Sequence, residues 1–225
     1  MKIWFVICFA ILVALPASAL HRLNFDGFIA DEANLLSKDI KYDLNMTLWD
    51  LQKKSGADIA VITLPSLEGK SVEDTALEIG RTYKIGSKDK NNGVVFLTTL
   101  SERKMRIELG SGLEKKINMK SIENIRDNDI LPYYRKSDYQ NGIARGTYKL
   151  AEIVAQAEGV EVSTQGTCPS KPTKSSSRDN YPWWVYVLAI IMAPFMPRRC
   201  GYGYGGFSGF GGGGGFGGCG CSGSW

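Results

Sequence analysis

The sequence predicts an α/β protein in which a small mixed β-sheet carries helices on both faces. Three observations lead there. The stretch Asn91-Asn92-Gly93-Val94-Val95-Phe96-Leu97-Thr98-Thr99-Leu100 opens on a turn signal and runs into β-branched and aromatic residues, which reads as a strand buried on both faces. Arg103 to Leu109 then alternates, with Met105, Ile107 and Leu109 on one side and Lys104, Arg106 and Glu108 on the other, which reads as a half-exposed neighbouring strand. Around this hairpin, segments with helical spacing alternate with one more apolar strand.

Ser37 is a helix N-cap, and Ile40, Leu44, Leu48 and Leu51 follow at helical spacing until Ser55-Gly56. Asp58-Ile59-Ala60-Val61-Ile62-Thr63-Leu64 is a buried strand ended by Pro65. Ser71-Val72-Glu73-Asp74 has a capping-box pattern and opens a helix through Ala76, Leu77, Ile79 and Tyr83. Ser101-Glu102-Arg103 turns the central hairpin, and Gly110-Ser111-Gly112 lets the chain leave it sharply. Residues 119–130 read as a helix interrupted by Pro132, and Asp138 opens another that buries Ile143, Leu150, Ile153 and Val154.

The two ends suggest a location. Lys2, an apolar run over residues 3–15 and Ala17-Ser18-Ala19 make a secretion signal over residues 1–19, with cleavage expected after Ala19. The α/β domain then occupies residues 24–160 and a polar linker residues 161–180. Residues 181–199 are hydrophobic, with Tyr181, Trp183 and Trp184 at one end and Arg198-Arg199 at the other. That pattern fits a C-terminal membrane anchor, either a short span or a shallow insertion. More than half of the 26 glycines lie in the tail, residues 200–225, which has too few side chains to promise a packed core. With an exported domain and a spanning anchor, the tail is expected on the inner side of the membrane. The cysteines, divided by the anchor, then imply no intramolecular disulfide framework.

Composition excludes some chemistry. A net charge of +4 without a basic stripe does not point to nucleic acid. The one histidine, His21, lies beside the expected cleavage point, so Ser-His-Asp and Cys-His catalysis lack their base.

Several motifs follow one another in a recognisable order: Ile29-Ala30-Asp31-Glu32-Ala33, Ile59-Ala60-Val61-Ile62-Thr63, Ser71-Val72-Glu73-Asp74 and Tyr83-Lys84-Ile85-Gly86. Asn92-Gly93-Val94-Val95-Phe96-Leu97, Arg103-Lys104-Met105-Arg106-Ile107-Glu108, Gly110-Ser111-Gly112-Leu113-Glu114 and Asp138-Tyr139 continue the series. Together with the flanking signal, hydrophobic segment and a Gly-rich tail ending in Ser-Gly-Ser-Trp, this resembles the TPM-domain proteins, often labelled TPM phosphatases, and their bacterial YgcG-type branch. The resemblance implies a three-layer α/β/α sandwich, phosphatase activity in some relatives and divalent-metal binding near the acidic loops. This chain has Asn91-Asn92-Gly93 where the family often has Asp-Asn-Gly or Asp-Gly-Gly, and Asn118 where it often has Asp, which weakens a hard-cation site.

For such a site the candidate metal ligands are Asp31, Asp89 and Asn92, with Arg103 and Arg106 as candidate substrate-binding cations. An oxygen-only ligand set favours Ca2+ or Mg2+ over zinc. Each residue also has a plainer reading. Asp31 can satisfy backbone amides before the first helix, Asp89 can be a solvated loop residue, and Asn92-Gly93 can be a turn. Two functions follow: an exported, membrane-tethered, metal-dependent phosphatase, or a non-enzymatic envelope scaffold or quality-control module. The expected partners are the membrane and other envelope or membrane proteins.

Overall fold

The computed structural model describes residues 22–162 and 209–225. Five strands form one open mixed sheet, ordered β1-β2-β3-β4-β5. They are β1 (Ile29–Asp31), β2 (Asp58–Leu64), β3 (Gly93–Thr99), β4 (Lys104–Gly110) and β5 (Phe216–Ser224). β1, β2 and β3 run parallel; β4 is antiparallel to β3, and β5 to β4.

The long helices start and stop where local chemistry dictates. In α1 (Lys38–Ser55) the Ser37 hydroxyl accepts from the Ile40 amide, and Gly56 ends the helix at φ 73° with its amide returned to Gln52. In α2 (Val72–Thr82) Ser71 accepts from the Asp74 amide at 3.0 Å. After β4 come the single turn α3 (Ser111–Glu114) and α4 (Met119–Asn124). The single helix expected over residues 119–130 is divided, because a π-helical stretch over Ile125–Ile130 follows α4 and leads into α5 (Leu131–Tyr134). Pro132 sits in the first turn of α5, where a missing amide proton costs nothing. The last helix is α6 (Tyr139–Glu158).

Alternation within the strands divides the core in two. Val61, Val94, Phe96, Met105 and Ile107 face α1 and α6, among them Leu44, Leu48, Leu150 and Val154. Ala60, Ile62, Val95 and Leu97 face α2 through Val72, Ala76 and Ile79. Helices therefore cover both sheet faces, as the element order predicts.

Three expectations are overturned. β1 is an additional strand, too short for its periodicity to show. β4 is not half-exposed, for Arg106 and Glu108 are both buried, covered by α2 and β5. The Gly-rich tail does not stay apart, since residues 216–224 pair with β4 from Gly110↔Phe216 to Lys104↔Ser224, and Phe216 and Cys221 are buried. Two glycines, one on the strand and one on α2, let the strand lie this close. A Cβ on Gly220 would collide with Glu108 Oε2, and one on Gly80 would stand 2.7 Å from the Phe216 ring.

The pairing bears on the expected inner-side tail. Strands joined by backbone hydrogen bonds lie in one compartment, so β5 and the α/β domain share one side of any membrane. Residues 181–199, the expected signal and most of the expected linker lie outside the described residues. No helix among the described residues is long and apolar enough to cross a membrane.

Two outcomes are expected. Phe96→Ala should cost about 3–5 kcal/mol in denaturant unfolding, as for a fully buried aromatic side chain, and a cost under about 1 kcal/mol would contradict its central place. In sealed vesicles bearing the chain, an impermeant thiol reagent on Cys219 and a protease acting on the α/β domain should work from the same side. Opposite sides would mean that β5 does not pair with β4 in the membrane-bound chain.

Candidate functional site

The carboxyl ends of the parallel strands are the first place to look for a site. Asp31 closes β1 in register with Thr63. Its Oδ1 accepts from the Leu35 amide at 2.9 Å and from Thr63 Oγ1 at 2.5 Å. Its Oδ2 accepts from the Leu36 amide at 3.1 Å and from Lys41 Nζ at 2.7 Å. The side chain is 1 % exposed. Burial pushes this carboxyl up, but the bonds from Lys41, Thr63 and the two amides outweigh it and hold it below the usual carboxylate range. Both oxygens are thus spent on turning the chain from β1 into α1.

The other candidate metal ligands lie at the far end of the sheet. Asp31 is level with Thr63 and Thr98, whereas Asn92 precedes Gly93, which is level with Asp58. Six residues of extended strand put about 20 Å between the two ends, too far for one ion to be shared. Asp89 is exposed in the loop. Asn92 is buried, its Oδ1 accepting from the Ser87 amide at 3.0 Å. Its amide lies close enough to Glu158 to favour that carboxylate. Burial raises Glu158, but the Lys116 hydrogen bond and the charges of Lys116 and Lys90 bring it below its ordinary value.

The two candidate substrate arginines also separate. Arg103 is exposed in the β3–β4 turn at φ 50°, and its carbonyl accepts from the Trp225 amide. Arg106 lies under α2 and β5. Its Nε and Nη2 donate to Glu108 Oε2 at 2.9 and 2.7 Å, its Nη1 to Ser222 Oγ at 3.0 Å, and Nη2 also to the Gly218 carbonyl at 3.2 Å. A guanidinium held this way is not available to a phosphate.

The structure gathers polar groups at a place the sequence does not mark. Glu108 on β4, Glu114 on α3 and Cys219 on β5 meet where the tail crosses the sheet. Glu108 Oε1 and Glu114 Oε1 are buried, and no donor reaches either in hydrogen-bond geometry. Burial pushes the Glu108 carboxyl up in spite of Arg106, and the charge of Glu114 adds to the rise. Burial also raises the Cys219 thiol, helped by the charges of Glu114 and Glu108. Beside them Ser222 Oγ donates to Glu73 Oε1 at 2.5 Å, and this bond, first among several causes, lowers the Glu73 carboxyl. The chain Glu73–Ser222–Arg106–Glu108 thus links α2, β5 and β4. In sequence Glu108 only alternates with Ile107 and Leu109, and nothing signals that a distant tail will bury it.

Chemically, this cluster sets two buried carboxylate oxygens and a thiol near one another. A divalent cation fits it only in part. Two open oxygens fall short of the roughly six to eight that calcium takes, and Arg106 already neutralises Glu108. Among the described residues, no group of three or more His, Cys, Asp or Glu side chains is placed to hold a metal ion.

A family model described as the TPM domain matches residues 29–153, more than half of the chain. The chain belongs to the TPM domain family. Among solved structures it is similar to the N-terminal domain of a protein from P. gingivalis, at 26% identity over 60% of this chain and 85% of that one, with a TM-score of 0.53. It is also similar to the BA42 protein from Bizionia argentinensis, at 18% identity over 55% of this chain and 83% of that one, with a TM-score of 0.48. No curated protein matches the chain. The TPM match begins with β1 and ends inside α6, so β5 lies beyond it.

Asp31 gives a pH-dependent outcome. Its folded-state pKa is depressed, so its contribution is present above the ordinary carboxylate pKa and lost as pH falls through the lower folded value. Asp31→Asn should therefore lower stability at pH 7 by about 1–3 kcal/mol, the cost of unmade buried hydrogen bonds. Urea unfolding at neutral pH and at about pH 3 checks this, since the gap to wild type should narrow below about pH 4. An equal gap at both pH values would show that the charge of Asp31 is not what holds the turn.

Proposed function

We propose that this chain is an exported, membrane-associated TPM domain that works by binding other envelope or membrane proteins. One observation carries this reading: among the charged candidates for phosphate chemistry, the two with buried side chains are spent on the fold. Asp31 holds the β1–α1 turn and Arg106 holds the tail strand against β4. Export and membrane association rest on the sequence pattern of residues 1–19 and 181–199. Because β5 pairs with β4, the proposed attachment enters and leaves the membrane on one side, as a shallow or re-entrant insertion.

A second reading, the metal-dependent phosphatase, is favoured by the two open carboxylate oxygens of Glu108 and Glu114. They are the hard oxygen ligands that Ca2+ or Mg2+ takes, and a cation bound there would draw a phosphate towards the tail strand.

The two readings part in one assay. The full chain in detergent is given p-nitrophenyl phosphate with calcium, magnesium or manganese, beside Glu114→Gln. The binding reading expects no turnover above the variant and no rise of melting temperature with metal. Metal-stimulated turnover that Glu114→Gln abolishes would overturn it and establish the phosphatase.

A further inference from the structure

Among the described residues, the large hydrophobic side chains left exposed are Tyr42, Met46 and Trp49, at 47%, 44% and 46%. All three lie on α1 with spacings of four and three residues, which places them in one stripe. Lys53, one turn on, stands over the Trp49 ring with its Nζ 5.2 Å from the centroid. The core-facing side of α1 is a different one, made by Ile40, Leu44, Leu48 and Leu51. Core packing therefore accounts for only one of the two apolar sides of the helix.

A separate observation concerns where the described chain stops and resumes. Lys54 Nζ donates to the Glu161 carbonyl at 2.9 Å, and Gln52 Nε2 donates to the Gly209 carbonyl at 3.5 Å. Both ends therefore meet the last turn of α1. Gln52 and Lys54 flank Lys53, and at about 100° per residue they point to opposite sides of the stripe. The described chain thus stops after Val162 and resumes at Gly209 on either side of the end of the stripe that carries Trp49 and Lys53, and the apolar stretch 181–199 lies in the sequence between them.

We propose that the α1 stripe is the face this protein lays on a lipid surface, with Tyr42, Met46 and Trp49 at headgroup depth and Lys53 reaching back to water. The inference rests on the membrane reading above and adds an orientation to it. Aromatic rings with a lysine among them suit the bilayer interface. Asp39, Asp43 and Asp50 run along one flank, Asp50 paired with Lys54, while Lys41 on the other flank is paired with Asp31. The face carries no excess of positive charge, so its attachment depends on ring insertion and not on anionic lipid.

The full chain is mixed with phosphatidylcholine vesicles, plain or brominated on the acyl chains, and tryptophan emission is compared between wild type and Trp49→Phe. The Trp49 contribution, read as the difference between the two, should fall about twofold or more in brominated vesicles and stay quenched at high salt. If the chain sediments with vesicles while the Trp49 contribution keeps its full intensity, the orientation is wrong although the membrane reading stands. If the chain stays in the supernatant, the membrane reading fails and the orientation with it.

Discussion

The ion pair between Arg106 and Glu108 on β4 is the constraint that the rest of the sheet has to satisfy. Both residues project from β4 towards α2, and neither is open to water. Burying charge is tolerable only when it is paired and hydrogen-bonded, and leaving one partner alone costs about 3–5 kcal/mol. Glu108 supplies one half of the solution. The tail supplies the other, through the Ser222 hydroxyl and the Gly218 carbonyl. At Gly220 the strand lies so close to the guanidinium–carboxylate pair that a Cβ would collide with it, while two residues on the small Ser222 side chain fits and bonds Arg106. At Gly213, Gly215 and Gly220 glycine is therefore a packing requirement, where composition alone suggests an unstructured end.

A strand this rich in glycine has little intrinsic tendency to form. It is held by what lies at its ends. Phe216 packs on Gly80 of α2, while the Trp225 ring stands 4.5 Å from Tyr134 and 5.8 Å from Tyr139. Upstream, the buried Asp58 carboxylate accepts from the Gly86 amide at 2.9 Å and from the Gly211 amide at 2.7 Å. One carboxylate thereby ties the loop before β3 to the returning tail. Burial raises Asp58, and its bonds to Gly211, Gln52 and Gly86 only partly offset this, so Asp58 exchanges some stability for the connection. The long stretch between α6 and the tail is a modest extra burden, because closure entropy grows only by about 0.6 kcal/mol per doubling of loop length.

What could be read from the sequence follows from these interactions. α1, β2, α2, β3 and α6 are marked by periodicity and by caps such as Ser37 and Ser71, which act within a few residues. The two edge strands were not legible. β1 is three residues long, and β5 contradicts its own local preference and forms only against β4. The site shows the same division. Asp31 was visible as a carboxylate before a helix, and its plainer role, satisfying amides, is the one the geometry supports. The Glu108–Glu114–Cys219 cluster was invisible because it needs residues more than a hundred positions apart. The same blindness put Arg106 among the candidate anion binders, since an alternating strand reads as having one wet face until its cover is known.

The tail strand also changes what attachment to a membrane would mean for this domain. A domain held by one polar linker can turn freely, and its surfaces meet the bilayer at random. Here the chain returns into the fold through β5, so a domain attached through the intervening residues would be held at two points, both near the last turn of α1. Two attachments close together remove most of the rotations that one would leave, and they favour the surface lying between them. That surface carries Trp49 and Lys53. The pairing that buries Arg106 and Glu108 would then also give the domain a fixed orientation, leaving the outer face of α2 turned away from the lipid and open to partners.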